Sequence, residues 1–304
     1  QIHQWDFIFE REITRNTVVS ASYLGSYGNS LPNFVDTNLP RPARTVAINV
    51  VGGPFNGQTY LSPIFVGPRP NTSFAQITEI RSDVNSKYNA LVLQANRRLT
   101  KGLQFQTNYT LSRAADNGQS STTFTSNNLP FNAFDQSGED ALSAFDRRQK
   151  FVASVVYNPT PFSEEGAAKA IFNGWTIAPI LNAFSGQRLT GNISGNISPA
   201  SFGFGGAACT PGLPAPAPSG CNTPGGGING SGGSSRFAQL PRNFFKQPNI
   251  WYVDARLSRR FSLSESMKLE VLLEGFNVFN RTQVTNMNPT IYNLSGSTLT
   301  FNGT

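Results

Sequence analysis

Polar and apolar residues alternate with a period of two along several segments of this sequence. Within 103–112, Leu103 and Phe105 alternate with Gln104 and Asn108. Because successive side chains of a strand point to opposite faces, this segment is predicted to be a strand with one apolar and one polar face. Seven further segments show the same alternation, with differing quality: 3–12, 17–28, 87–99, 147–158, 174–185, 250–261 and 267–280. Eight strands of about 10 to 14 residues are long for a soluble protein and suit tilted strands that cross a membrane.

The connections between these predicted strands differ systematically in length. Short connections such as 13–16 and Thr100–Gly102 alternate with three long ones, at 29–86, 114–146 and 186–249. In an up-and-down outer-membrane barrel, short turns face the periplasm and long loops face the outside of the cell. A soluble sandwich has no reason to segregate loop lengths by end. We therefore predict an all-β fold, an antiparallel up-and-down transmembrane β-barrel with these three segments as external loops.

The polar face of these strands must contact water, because burial of its amides and charges in a closed apolar core is costly. A barrel meets this need, because water fills its lumen on one side of the strands and lipid contacts the other side. Closure of the sheet also gives every backbone N–H and C=O group of the strands a hydrogen-bond partner. The predicted lumen-lining residues are Gln94, Arg98, Gln104, Asn108, Asp254, Arg256, Lys268, Glu270 and Glu274.

Large aromatic residues lie near the ends of the predicted strands, where an aromatic girdle would meet the membrane interface. The predicted girdle residues are Trp5, Tyr157, Trp175, Trp251 and Phe261. Arg11, Arg97 and Arg259 fall on the predicted apolar face of their strands and lie near the strand ends that are joined by short connections. Their long side chains can reach the headgroups at that interface.

Composition narrows the possible functions. Charged residues make up 13% of the chain, against about 25% in soluble proteins, and 28 Gly and 20 Pro disfavour a helical fold. No segment has the roughly 18 consecutive apolar residues of a membrane-spanning helix. The net charge of +7 is spread thinly, which does not favour nucleic-acid binding. One His and two Cys exclude a multi-histidine metal site and a four-thiolate zinc site within this chain.

The loops offer few candidates for chemistry. Cys209 and Cys221 lie in a Gly- and Pro-rich segment of the third long loop, and an oxidising compartment favours a disulfide between them. Asp135, Glu139 and Asp140 are oxygen ligands of the type that Ca²⁺ prefers, but they lack the spacing of a calcium loop, and a solvated loop is the favoured interpretation. We predict no catalytic residue, no metal site and no cofactor.

Five blocks of the sequence are similar to recurring blocks of a known family: Gln4–Ile13, Val19–Gly28, Tyr88–Leu103, Phe145–Val152 and Glu274–Arg281. Together they resemble the barrel of TonB-dependent receptors, and in particular the Oar-like subgroup, which carries an N-terminal carboxypeptidase-regulatory-like domain. The blocks cover the strands and leave the loops unmatched. No block is diagnostic alone, whereas their order and spacing are more specific.

The resemblance implies that a parent protein binds a scarce solute at external loops and imports it with energy from the TonB complex. The Asn, Ser, Gly and Phe content of the three long loops suits a carbohydrate or a peptide as that solute. Family barrels have about 22 strands and an N-terminal plug that contacts TonB, whereas eight strands and no plug are found here. We expect the C-terminal part of such a barrel, as a closed barrel or an open curved sheet, in contact with outer-membrane lipid.

Two alternatives stay open at this point. The same fold can serve as a small eight-stranded barrel that acts as an adhesin or structural anchor, with an interior filled by side chains. A secreted soluble β-module would instead have loops of equal length at both ends of its strands. Extraction separates these cases, because a barrel needs detergent and a soluble module does not.

Overall fold

The computed structural model describes residues 1–39, 41–65, 70–74, 77–118, 130–132, 134–195, 235–264 and 266–303, with backbone alone at 42–44 and 64–65. Within these ranges, no helical segment combines the length and the apolar character that a membrane span requires. The elements are β1 (Ile2–Thr14), β2 (Thr17–Asp36), β3 (Pro42–Val51), β4 (Thr59–Phe65), β5 (Thr78–Thr100), β6 (Leu103–Asp116), β7 (Ala141–Leu142), β8 (Gln149–Tyr157), α1 (Ala167–Phe172), β9 (Trp175–Phe184), β10 (Arg188–Leu189), β11 (Asn192–Ser194), β12 (Phe245–Lys246), β13 (Ile250–Ser262), β14 (Lys268–Gly275), β15 (Thr290–Ser295) and β16 (Thr298–Phe301).

Eight long strands form the main sheet in the order β1-β2-β5-β6-β8-β9-β13-β14, with β7 added beside the end of β6. Every ladder of this sheet is antiparallel, and its strands are the eight predicted from the alternation. Among the described residues, β1 and β14 each pair with one neighbour, so the sheet is open. The predicted all-β, up-and-down fold is confirmed, in the form of an open curved sheet.

The register divides the main sheet into two faces that can be read directly from residue numbers. Tyr27 of β2 pairs with Lys87 of β5, and Asn89 of β5 pairs with Arg113 of β6. In each pair, both residues have odd numbers. The same parity holds in the regular part of every ladder among the eight strands. Because paired residues share a face, we call one side the odd face and the other the even face. They comprise the odd and even residues of 2–28, 86–116, 149–157, 175–184, 250–262 and 268–275.

Short connections lie at one end of the main sheet, which we call the turn end. At the β5–β6 hairpin, Lys101 and Gly102 have φ values of 50° and 75°, as a two-residue hairpin turn requires. A Cβ on Gly102 would lie 2.2 Å from the Asn158 carbonyl oxygen. The helix α1 also lies at the turn end, where the Trp175 Nε1 donates a hydrogen bond to the Ile171 oxygen at 2.9 Å.

The opposite, loop end contains structure that the alternation did not predict. Strands β2 and β5 continue beyond the predicted segments 17–28 and 87–99, so part of the predicted loop 29–86 is strand. A second sheet has the order β11-β15-β16-β3-β4 and is assembled from the long connections and the C-terminal segment. Its β11–β15 and β16–β3 ladders are parallel.

The main hydrophobic core lies in this loop-end sheet. Its buried members are Val46, Ile48, Val50, Tyr60, Ile193, Phe237, Tyr292 and Leu299. In the middle of the main sheet, by contrast, Leu91 and Leu93 on the odd face are 40% and 43% exposed. The loop end therefore folds around its own core, and the main sheet leaves apolar side chains uncovered.

Candidate functional site

Four charged residues form an ionic cluster under the loop end, which we call the loop-end cluster: Asp116, Glu139, Arg236 and Arg242. Glu139 is 1% exposed, and its carboxylate oxygens accept hydrogen bonds from Arg236 at 2.7 and 2.9 Å. Arg242 donates to the Asp116 carboxylate at 2.8 Å and to the Glu139 backbone oxygen. Two carboxylates and two guanidinium groups balance in charge, and together they join the connections after β6 and before β12.

A second ionic contact ties the same connections to the main sheet. The Asp146 carboxylate accepts hydrogen bonds from the Ala114 amide at 2.9 Å and from Arg188 at 3.2 Å. Asn243 donates to the Leu142 oxygen at 2.7 Å. The loop end is thereby fixed to the strands by polar contacts.

Stacked aromatic rings lie beside the loop-end cluster. The Phe237 ring stacks on Tyr60 at 5.1 Å and on Tyr292 at 4.9 Å between centroids. The Tyr60 hydroxyl donates to the Arg236 backbone oxygen at 3.0 Å. Burial raises the pKa of Tyr60 far above its ordinary value, because the phenolate would lose its hydration.

These contacts correct one expectation for the acidic residues of the second long loop. Glu139 was expected in a solvated loop, which is wrong, since it is buried against Arg236. Asp135 and Asp140 are exposed, as that interpretation requires. Within the described residues, no three His, Cys, Asp or Glu side chains are grouped to hold a metal ion. Cys209 and Cys221 lie outside the described residues.

The residues predicted to line a lumen all lie on the even face. Gln94 and Asn108 are paired across β5 and β6. Arg256 contacts Glu274 at 2.6 Å, and Glu270 contacts Arg260 at 3.1 Å. The remaining predicted positions on this face are Arg98, Gln104, Asp254 and Lys268. A cavity of about 370 Å³ opens on the same face, with Ser154, Asp254, Arg256 and Glu274 in its lining.

The residues predicted to form a girdle all lie on the odd face, and some of them meet arginines. Arg259 lies 5.1 Å from the Trp175 ring and 4.7 Å from the Phe261 ring, at the turn end. Trp251 lies 4.5 Å from the Arg281 guanidinium. The Trp5 ring lies against Gly25, and a Cβ on residue 25 would collide with this ring. Tyr157 is the last residue of β8.

Charges are divided between the two faces. All acidic residues of the eight strand segments that define the faces are even-numbered: Asp6, Glu10, Glu12, Asp116, Asp254, Glu270 and Glu274. The odd face carries Lys and Arg only near its two ends: Lys87 and Arg113 at the loop end, and Arg11, Arg15, Arg97, Lys101 and Arg259 at the turn end. Its middle is free of charge, whereas the even face carries both signs.

Sequence reasoning missed the loop-end cluster, including Arg236 and Arg242. No periodic pattern marks these residues, since their partners lie about a hundred positions away. A signal for the second sheet was available, because Val46, Ile48 and Val50 alternate along β3.

The solved structures similar to this chain include two that cover more than nine tenths of it. One is the outer membrane transporter YddB from Escherichia coli, at 10% identity and a TM-score of 0.48, covering 92% of this chain and 29% of that one. The other is FpvA of P. aeruginosa bound to a heterologous pyoverdine and iron, at 11% identity and a TM-score of 0.44, covering 99% of this chain and 25% of that one. No curated protein matches. A family model described as an outer membrane beta barrel domain matches residues 1–303, and the chain therefore belongs to this family of the bacterial outer membrane.

Proposed function

We propose that this chain is the C-terminal part of the barrel of an Oar-like, TonB-dependent receptor. The parent protein binds a solute at the loop end and imports it through the barrel. Energy comes from the TonB complex, which acts on an N-terminal plug outside this sequence. The chain itself performs no covalent chemistry and contributes a polar wall and a recognition surface.

The division of charge between the two faces carries this proposal. An odd face without carboxylates, and with cations only at its ends, suits contact with lipid, where a charge near the bilayer centre costs about 2 to 4 kcal/mol. The even face carries Asp254, Arg256, Glu270 and Glu274 and suits a wet lumen. Among the described residues, the outer edges of β1 and β14 have no partner strand, which supports a place within a larger barrel, because a spanning sheet must pair its edges.

Solute binding is proposed at the loop end, which faces the outside of the cell. Buried ion pairs and stacked rings hold the long connections in one arrangement, and a rigid surface loses little entropy when it binds a ligand. The exposed polar and aromatic side chains of these connections suit hydrogen bonding and stacking with a carbohydrate or peptide. The energised part of the proposal rests on the resemblance of the strand blocks to TonB-dependent receptors.

Import is tested in the native cell with the complete parent gene. Strains with and without this gene, each with and without TonB, are grown on a panel of oligosaccharides and oligopeptides as sole carbon sources. We expect growth on at least one compound that needs both the gene and TonB. Growth that is independent of both across the panel contradicts the import proposal.

The alternative of an adhesin or structural anchor on the same fold predicts a different result. Loss of the gene then reduces surface attachment or envelope integrity and leaves growth on every compound unchanged. A secreted soluble module is distinguished by extraction, since it is recovered in aqueous supernatant and a barrel is recovered in detergent.

A further inference from the structure

Two cations lie together on the odd face at its loop end. Lys87 pairs with Ala115, and Asn89 pairs with Arg113, so Lys87 and Arg113 are diagonal neighbours on adjacent strands. Diagonal neighbours on one face of an antiparallel pair are about 7 to 8 Å apart. Both side chains are exposed. Among the described residues, neither is ion-paired with a carboxylate, in contrast to Arg236 and Arg242 nearby.

A cavity opens beside these two cations. It has a volume of about 460 Å³, and its lining includes Tyr27, Asn85, Lys87, Arg113, Asp140 and Leu142. The Lys87 ammonium lies 5.8 Å from the centroid of the Tyr27 ring. Asp116 also lines the cavity, but its carboxylate accepts a hydrogen bond from Arg242. Asp140 is exposed and is the remaining acidic group of the lining.

The height of this site along the strand is informative. Lys87 and Arg97 lie on the same face of β5 and are ten residues apart, with Asn89, Leu91, Leu93 and Ala95 between them. At about 3.3 Å per residue and a tilt of about 40°, ten residues rise by about 25 Å, the height of the apolar band of an outer-membrane barrel. Lys87 and Arg113 therefore lie at the upper boundary of that band, level with lipid headgroups.

We propose that Lys87 and Arg113 bind the phosphate group of a lipid in the outer leaflet, with its acyl chains along Leu91 and Leu93. A guanidinium binds two phosphate oxygens at once, and an ammonium adds a mobile point charge. A lipid is favoured over a dissolved anion because the site continues into the uncharged middle of the odd face. The inference rests on the proposed orientation of the sheet, with the odd face toward lipid and the loop end outside, and not on transport.

The test uses the full chain in non-ionic detergent and fluorescent bisphosphorylated lipid A as the probe. We expect the double variant Lys87→Gln, Arg113→Gln to raise the Kd at least about tenfold, the scale of one lost charged hydrogen bond. Lys150→Gln is the matched control, since this exposed lysine lies toward the same end of the sheet on the even face. Its Kd should equal that of the unchanged protein. An unchanged Kd in the double variant overturns the proposal.

A variant with the opposite sign excludes misfolding as an explanation. Asp140→Asn removes the carboxylate at the cavity and should lower the Kd about threefold, because phosphate no longer meets a like charge. Dephosphorylated lipid A should show no difference between the double variant and the unchanged protein. Inorganic phosphate should not compete at concentrations near the Kd of lipid A, and competition there would overturn the assignment to a lipid.

A separate measurement keeps this inference distinct from the proposed orientation. The variant Leu93→Cys, in a background with Cys209→Ser and Cys221→Ser, is treated in membranes with a lipid-soluble and with a membrane-impermeant maleimide. Labelling by the lipid-soluble reagent alone supports the orientation on which the site depends. If that labelling occurs and the double variant still binds lipid A normally, the phosphate site is wrong and the orientation stands.

Discussion

Glu139 shows how single residues hold the loop end together. Its side chain is almost completely buried, and it neutralises Arg236, which is 5% exposed. A buried pair of this kind adds little net stability by itself, since both charges lose their hydration. Removal of one partner is more costly, because the other charge stays buried without compensation. The stability of the loop end therefore depends on keeping both partners.

We predict that Glu139→Gln lowers the free energy of local opening of the loop end by about 3 to 5 kcal/mol. Hydrogen–deuterium exchange of the backbone amides in 235–240 measures this opening. Glu274→Gln is the control, because it breaks an exposed pair with Arg256 and should cost less than about 1 kcal/mol. Equal protection of 235–240 in both variants would contradict the prediction.

Tyr60 makes the loop end sensitive to alkaline pH. Its pKa is raised by burial, whereas in an unfolded chain it lies near 10. A raised folded-state pKa contributes stability that is complete below the unfolded value and is lost as pH rises from there toward the folded-state value. We expect the protection factor of the amides in 235–240, in which the base-catalysed intrinsic exchange rate is divided out, to fall above about pH 10. Tyr60→Phe should weaken this dependence, leaving the smaller part due to Tyr292, whose pKa is also raised.

At the scale of elements, the β5–β6 hairpin depends on its turn. Gly102 has a positive φ, and a Cβ there would collide with the Asn158 backbone oxygen, as the neighbouring connection passes close by. We predict that Gly102→Ala lowers the folded fraction on semi-native gels, since left-handed backbone costs about 1 to 2 kcal/mol and the collision adds to it. Gly57→Ala is the control, with φ of 79° and no atom within 4 Å of the added Cβ. A larger loss for Gly57→Ala would contradict the role of the collision.

The sequence pattern predicts the eight strands of the main sheet well. The predicted segment 103–112 lies within β6, and the predicted 174–185 differs from β9 by one residue at each end. The reason is physical: two different environments act on the two faces along the whole strand, so the alternation is continuous. The segment 267–280 was predicted too long, because β14 ends at Gly275 and the chain turns there.

The loop end could not be predicted in the same way. Its core is built from pieces that are far apart in sequence, such as Tyr60 and Arg236, whose contact spans 176 positions. Strands β11 and β16 have three and four residues, too few to show a period. The phosphate site proposed at Lys87 and Arg113 likewise needed the register, because two cations 26 positions apart show no relation in the sequence.

At the scale of the whole molecule, the two sheets differ in how far they bury their apolar residues. The loop-end sheet buries Ile48, Tyr60 and Leu299 completely among its own elements. The main sheet leaves Phe7, Leu93 and Leu273 exposed, and these are stable only in contact with lipid or further protein. The chain therefore joins a loop-end sheet that packs around its own core to a main sheet whose stability depends on contact with the membrane.

Neighbouring positions on β5 test this dependence. Leu93 lies near the middle of the odd-face stretch between Lys87 and Arg97, and Gln94 follows it on the even face. We predict that Leu93→Arg costs about 2 to 4 kcal/mol of folding free energy in bilayers, the cost of a cation at the bilayer centre, whereas Gln94→Arg changes it by less than about 1 kcal/mol. Urea titration of tryptophan fluorescence in phospholipid vesicles measures both. A greater loss of folding free energy for Gln94→Arg than for Leu93→Arg would mean that the even face contacts lipid and the odd face lines the lumen. The proposed lipid site on the odd face would then be wrong.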